Sequence, residues 1–570
     1  MPGDHASAEL LAAMSSLLLG VRDASLDLAT ENLASIRAIR DESLDQLSDY
    51  ILPRLVQLDA PLLAIVGGST GAGKSTLVNS LVGEQVTESG VLRPTTRSPV
   101  LVHNPADAEW FQPDRILPDL ARTMASGNTS YGLRLASTDK IPQGLAILDA
   151  PDVDSIDQGN RELAAQLLAA ADLWLFVTSA ARYADQVPWD YLRQAAERST
   201  SVAVVLDRTS DEAIAEVRGH LARMMTSRGL SDSPLFTVPE SGLDGEGLLP
   251  PEAVAPMITW LHELAADPEA REMVVHRTLD GAVRHIVMRA HDIADALGTQ
   301  IEIAESLHRD ADTVYRSAVD DVTAQSSDGT LLRGEVLASW QEFVGTGELL
   351  RSVEDKVSRI RDRFVDGMTG KRTRSTQVVE AIETGLSMLL AEHAEAAAEQ
   401  VSRTWGATDA GRRLLDDTPD LDRASRDFRV KAERMVHDWR QGVLDLVRVE
   451  GADKRMTAKF LAFGVNGIAV ALMIVTLSRD ADGATVGTAS LGRRLLDAIF
   501  GAEVVDELID KTHADLESRS TALFETELQR FHTLLVSPDS LKAQQAALRE
   551  AARRAEYARH ADFLNGETTS

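Results

Sequence analysis

The chain has no cysteine among its 570 residues, so disulfides, thiolate metal centres and thiol nucleophiles are all excluded. Aromatic residues make up only 4%, which goes with a composition that favours helices. Basic residues are outnumbered, 58 Lys and Arg against 88 Asp and Glu, for a formal net charge of −30. That sign of charge does not suit neutralising a run of phosphates, which argues against a general nucleic-acid binder. No Lys or Arg precedes Arg22, so the apolar stretch Leu10 to Leu19 lacks the positive flank of a secretory signal and reads as a helix face. The cytosol, or the cytosolic face of a membrane, is the expected location. What is present is globular: 44% hydrophobic and 26% charged residues, with Ala, Leu, Asp, Glu and Arg prominent, which favours long helices. The length calls for several domains, or for one domain with a long helical extension.

The chain is organised around Pro61 to Leu77, PLLAIVGGSTGAGKSTL. Leu62, Leu63, Ala64, Ile65 and Val66 read as a buried strand. It breaks into Gly67 and then Gly68, Ser69, Thr70, Gly71, Ala72, Gly73, Lys74 and Ser75, the pattern G-x-x-x-x-G-K-S, with Thr76, Leu77 and Val78 opening a helix. Glycines at these positions let backbone N–H groups turn inward around phosphate oxygens, and a helix N-terminus adds partial positive charge. Lys74 is placed to reach the β- and γ-phosphates, and the Ser75 hydroxyl to hold magnesium. The motif predicts binding of a nucleoside triphosphate.

From 61 to 266 short apolar runs alternate with helical stretches, which predicts a mostly parallel sheet with helices on both faces. The expected strands are Leu62–Val66, Pro99–Val102, Leu145–Leu148, Leu173–Val177, Val202–Leu206 and Leu235–Val238. Ligands of such sheets sit beyond the carboxyl ends of the strands. Asp149, which ends the third of these, is the candidate that orients the magnesium ion through water. Before the second strand, Thr95 or Thr96 stands on a loop from which a hydroxyl completes the magnesium shell and senses the γ-phosphate.

These stretches resemble a bacterial dynamin-like protein, of the dynamin superfamily of GTPases. Gly90-Val91, followed by Thr96-Arg97-Ser98-Pro99-Val100-Leu101, is similar to the family's switch sequence G-[IV]-V-T-R-R-P-L, and the resemblance puts the magnesium-binding Thr at Thr96. Asp149-Ala150-Pro151-Asp152 is similar to D-x-P-G, with Asp152 where the family's Gly gives its N–H to the γ-phosphate. The base-reading motif [NT]-K-x-D meets Asp207-Arg208-Thr209-Ser210-Asp211, in which Asp207 and Arg208 take the first two places and Asp211 stands one residue late. Thr70 and Gly71 stand where eukaryotic dynamins carry a Gln and a Ser that position the attacking water. The resemblance implies GTP and Mg2+ as ligands, with Lys74 and Thr96 acting in hydrolysis. It also implies self-association through GTPase domains, or pairing with a paralogous dynamin-like partner.

After Pro268 proline is rare and long amphipathic stretches follow, 272–322, 331–367, 375–407 and 423–449, broken by turns at Ser326–Gly329 and Asp416–Asp420. The N-terminal residues to about 60 read as two amphipathic helices that pack on helices from elsewhere in the chain. Phe460 to Leu477 is 18 residues without a charge, about 27 Å as a helix. It is flanked by Lys454, Arg455, Lys459 and Arg479, and followed by a Gly- and Ala-rich segment, Ala484 to Phe500. The basic flanks favour a membrane-contacting hairpin over a buried core helix. The expected architecture is therefore N-terminal helices (1–60), an α/β P-loop GTPase domain (61–266), a helical stalk (267–453), an apolar tip hairpin that meets lipid (454–502) and returning stalk helices (503–565). The function expected from the resemblance is GTP hydrolysis coupled to self-assembly on a membrane and to its remodelling, at the cytoplasmic face of the cell membrane. A nucleotide-gated membrane scaffold or signalling protein with little hydrolysis is the alternative. An ATPase of the ABC type is weaker, since no L-S-G-G-Q stretch follows the loop.

Overall fold

Leu62 to Val66, an unbroken apolar run, forms the middle of an eight-stranded sheet, because only a strand covered on both faces can bury every side chain. The computed structural model describes residues 2–87, 98–113, 115–117, 120–123, 132–155, 157–197, 201–210, 212–344, 367–452, 458–481 and 484–564. The chain falls into two units. One comprises Met1–Leu26, Asn32–Thr299 and Asp539–Ser570, the other Asp27–Glu31 and Gln300–Pro538.

The first unit holds the sheet. Its strands are β1 (Leu62–Gly68), β2 (Val100–His103), β3 (Arg122–Thr123), β4 (Leu133–Ser137), β5 (Leu145–Asp149), β6 (Leu173–Ser179), β7 (Ser201–Thr209) and β8 (Leu235–Pro239), in the order β3-β4-β2-β5-β1-β6-β7-β8. Every pairing is parallel except β2 against β5, which is antiparallel. The six strands expected from the sequence are present, and β3 and β4 extend one edge beyond them. On one face Leu62, Ala64 and Val66 share a core with Leu77, Val78 and Leu81 of helix Lys74–Val82 and with Met257 and Leu261 of helix Pro251–Ala266. On the other, helix Gln158–Ala169 lies along β1, with Leu168 beside Gly67.

The same unit contains the N-terminal helices. Helix Pro2–Arg22 buries Leu10, Met14, Leu17 and Val21, a stripe spaced by three or four residues. Ser25 N–H donates to Gln544 Oε1 at 2.9 Å and Arg559 Nη1 to Asp280 Oδ1 at 2.6 Å, which joins chain segments far apart in sequence. Where these helices reach the sheet, the buried Asp172 carboxylate accepts from Tyr50 Oη (3.1 Å), from Leu63 N–H (2.9 Å) and from Arg54 Nη2 (3.2 Å). A carboxylate so far from water is tolerable only because every face of it is paired.

The second unit is helical. Its core is aromatic although aromatics are few: Tyr315, Trp340, Trp405, Phe428, Trp439, Phe524 and Phe531 are fully buried. The indole N–H groups of Trp405 and Trp439 donate to the Leu307 and Thr512 carbonyls, at 3.2 and 3.0 Å.

The apolar segment corrects the expectation of a tip hairpin. Helix Ala458–Thr476 bends at Gly464 (φ 66°, ψ 172°), and from Ile468 through Leu477 the side chains are buried within this unit. It packs on helices Phe428–Glu450, Ala484–Phe500 and Ala502–His532. The turn after it is held by two backbone bonds, Gly329 N–H to the Leu477 carbonyl (3.1 Å) and Asp480 N–H to the Ser327 carbonyl (3.0 Å). Among the described residues no helix is long and apolar enough to cross a membrane. The sequence reads alike in both cases, because a helix surrounded by other helices needs the same charge-free surface as one facing lipid.

Candidate functional site

The site is built at the carboxyl end of β1. Gly68 has φ 148°, and a Cβ there would collide with the Val177 carbonyl of the neighbouring strand. Gly73 has φ 95°, a conformation open to glycine, and a side chain there would collide with the Asp207 carboxylate. Between them Ser69, Thr70, Gly71 and Ala72 turn the chain, with Ala72 N–H bonded to the Ser69 carbonyl at 3.1 Å. Helix Lys74–Val82 then starts, its first turn closed by Leu77 N–H on the Gly73 carbonyl at 2.8 Å, and includes Ser75 and Thr76.

Ser75 and Asp149 are brought together. Ser75 Oγ donates to Asp149 Oδ2 at 2.7 Å, while Asp149 Oδ1 is buried and makes no hydrogen bond among the described residues. Burial pushes the Asp149 carboxyl up to about 6, although the Ser75 hydrogen bond, the Lys74 charge and the Thr87 hydroxyl pull it down. A hydroxyl and an unsatisfied carboxylate oxygen side by side are the hard oxygen donors that a magnesium ion takes. The residues present therefore fit that ion.

Lys74 is buried, its Nζ bonded to the Ser69 carbonyl at 3.1 Å and ion-paired with Asp152. Asp154, two residues on, accepts from Thr70 N–H (2.6 Å) and Thr70 Oγ1 (2.7 Å), and its other oxygen pairs with Arg182 Nη1 (2.7 Å). Sequence reasoning did not reach Asp154 or Arg182. Asp154 stood in a run of acids that could have drawn notice, but Arg182 had no local signal, because only the fold brings it to the loop.

Asp207 ends up against Gly73, at the end of β7. It is 3% exposed, and burial pushes its carboxyl up to about 6 despite the Arg208 N–H bond and the Arg208 charge. Arg208 adopts φ 53°, and its N–H donates to Asp207 Oδ1 at 2.8 Å. Thr96 and Asp211 lie outside the described residues, as does the switch stretch from 88 to 97.

A strand–loop–helix of phosphate-loop type on a mostly parallel sheet, followed by a large helical unit, defines the class of fold. No protein-family profile matches the chain. Over 188 residues it is 23% identical to a protein of Arabidopsis thaliana described as "Probable transmembrane GTPase FZO-like, chloroplastic", a match covering 32% of this chain and 19% of that protein. The matched part is thus about a fifth of the curated relative's length. Two solved structures described as an oligomerised bacterial dynamin pair, with a mechanism for the long-range sensing and tethering of membranes, are similar along most of their length. One has a TM-score of 0.39 at 10% identity, covering 92% of this chain and 95% of that one. The other has 0.41 at 9%, covering 93% and 96%.

Proposed function

We propose that the chain is a dynamin-like GTPase, which binds GTP with magnesium at the loop after β1, hydrolyses it, and couples hydrolysis to self-assembly on a membrane and its remodelling. The observation that carries this reading is the pairing of Ser75 with Asp149 beside Lys74, at the carboxyl edge of parallel strands. Magnesium, when bound, supplies charge that offsets the phosphates. Lys74 would stabilise phosphate oxygens, Ser75 and Thr96 would hold the ion, and Asp149 would orient it. The loop from Gly68 to Thr76 surrounds the phosphates, with the Thr70 N–H held by Asp154. Asp207, Arg208 and Asp211 are assigned to base recognition, and guanine is chosen on the resemblance of this stretch to the family's base-reading motif.

The membrane element rests on that resemblance and on a relative named as a transmembrane GTPase, and not on Ile468–Leu477, whose side chains are buried within the helical unit. Self-association through the GTPase domains, or pairing with a paralogous dynamin-like protein at the cytoplasmic face of the cell membrane, completes the reading.

A second reading is a nucleotide-gated scaffold with little hydrolysis. It is favoured by Asp152 on Lys74 and by Thr70 in the place of the water-positioning Gln. Single-turnover hydrolysis of GTP and ATP, with and without anionic liposomes, separates the two. Turnover of GTP that liposomes accelerate and Lys74→Ala abolishes supports the first reading. Tight GTP binding without turnover supports the second, and equal handling of ATP overturns guanine selection.

A further inference from the structure

The Lys74 ammonium already has an anion. Asp152 pairs with it in a nearly dry setting, the two side chains being 4% and 12% exposed. The segment that carries Asp152 is fastened to the phosphate loop at further points. Val153 N–H donates to the Gly68 carbonyl at 3.3 Å, and Asp154 holds both the N–H and the hydroxyl of Thr70. Arg182 balances the remaining Asp154 oxygen. Residues 152–154 therefore lie across the loop, with one carboxylate on its lysine and another on its rim.

A carboxylate offers a lysine what a terminal phosphate offers, negative oxygens that only accept hydrogen bonds. We propose that Asp152 is a specificity-determining residue of this site: it stands in for the terminal phosphate on Lys74, so that a nucleoside diphosphate binds with the ion pair in place whereas a triphosphate must expel Asp152. This inference rests on the loop being a nucleotide site, as set out above. A third phosphate brings like charge against the carboxylate where little water screens it. A diphosphate ends short of that position and keeps the pair intact. The Asp154 contacts add to the selection, since the segment cannot leave Lys74 without straining its bonds to Thr70 and Arg182.

The test is calorimetric titration of the full chain, with Mg2+, by GDP and by a non-hydrolysable GTP analogue, with the adenine pair run alongside. The parent protein is compared with Asp152→Asn and Asp152→Ser. Expected in the parent is diphosphate binding at least tenfold tighter than triphosphate, about 1.4 kcal/mol. In both variants triphosphate affinity rises at least tenfold while diphosphate affinity stays within threefold, and retained diphosphate binding reports that the site is folded. An unchanged diphosphate-to-triphosphate ratio in the variants, or a parent that prefers triphosphate, overturns the inference and leaves the site reading standing. No binding of any of the four nucleotides by parent and variants overturns both.

Discussion

The Ser75 hydroxyl donates to one oxygen of Asp149 across 2.7 Å, and the other Asp149 oxygen is buried without a hydrogen bond among the described residues. An orphaned carboxylate oxygen beside a hydroxyl is costly unless something fills the gap. Asp149→Asn and Ser75→Ala are therefore expected to weaken Mg2+-dependent nucleotide binding at least tenfold, about 1.4 kcal/mol, and to change binding in EDTA by less than threefold. Calorimetry with and without the metal measures this. Equal losses under both conditions would show that the pair supports the loop and not an ion.

Lys74→Ala is expected to abolish triphosphate binding and also to lower stability. The lysine is buried against Asp152. Its removal strands that carboxylate at a cost of about 1–3 kcal/mol. The double variant Lys74→Ala/Asp152→Asn recovers most of the lost stability without recovering binding. Urea unfolding of the two single variants and the double variant supplies the cycle, and additive effects would contradict the pair.

Asp207 should make stability fall with rising pH. Its carboxyl titrates near 6 in the folded chain and about 3.9 when unfolded, so folding takes up a proton between those values. This contribution is fully present below about pH 4 and is lost as pH rises to 6. Asp207→Asn keeps an oxygen for the Arg208 N–H and carries no charge. It should come close to the parent near pH 4 and exceed it by about 3 kcal/mol at pH 7.5, since each unit is about 1.36 kcal/mol. Denaturant unfolding at the two pH values decides, and a gap that does not grow with pH rejects the assignment.

Val470 is fully buried, and an aspartate there would be an unpaired charge in an apolar core. Val470→Asp is expected to cost more than about 3 kcal/mol. Val449, 72% exposed at the end of helix Phe428–Glu450, supplies the control, since Val449→Asp should stay within about 0.5 kcal/mol of the parent. Thermal unfolding followed by circular dichroism measures both. A folded, unperturbed Val470→Asp would return the segment to the surface.

The phosphate loop was legible because its spacing is local: β1, the glycine turn and helix Lys74–Val82 follow one another within Leu62–Val82. Strands β3 and β4 were not. β3 is the two residues Arg122 and Thr123, and β4 is only partly buried along Arg134–Ala136, so neither carries a strong alternation. The fate of Phe460–Leu477 was ambiguous in principle, because burial in protein and burial in lipid select the same side chains. The contacts of Lys74 with Asp152, and of Thr70 with Asp154, depend on how the loop after β5 returns to β1. No spacing rule in the sequence reports that.

The two backbone bonds that link Ser327 and Gly329 to the turn at Leu477–Asp480 have a dynamic consequence. They fasten the end of an apolar helix to a distant turn of the same unit, while Ile468 to Leu477 have no face turned to water. Amide hydrogens along that stretch cannot exchange by fraying from an end. They exchange when the unit opens cooperatively, which sets them among its most slowly exchanging hydrogens, with opening free energies near that of global unfolding.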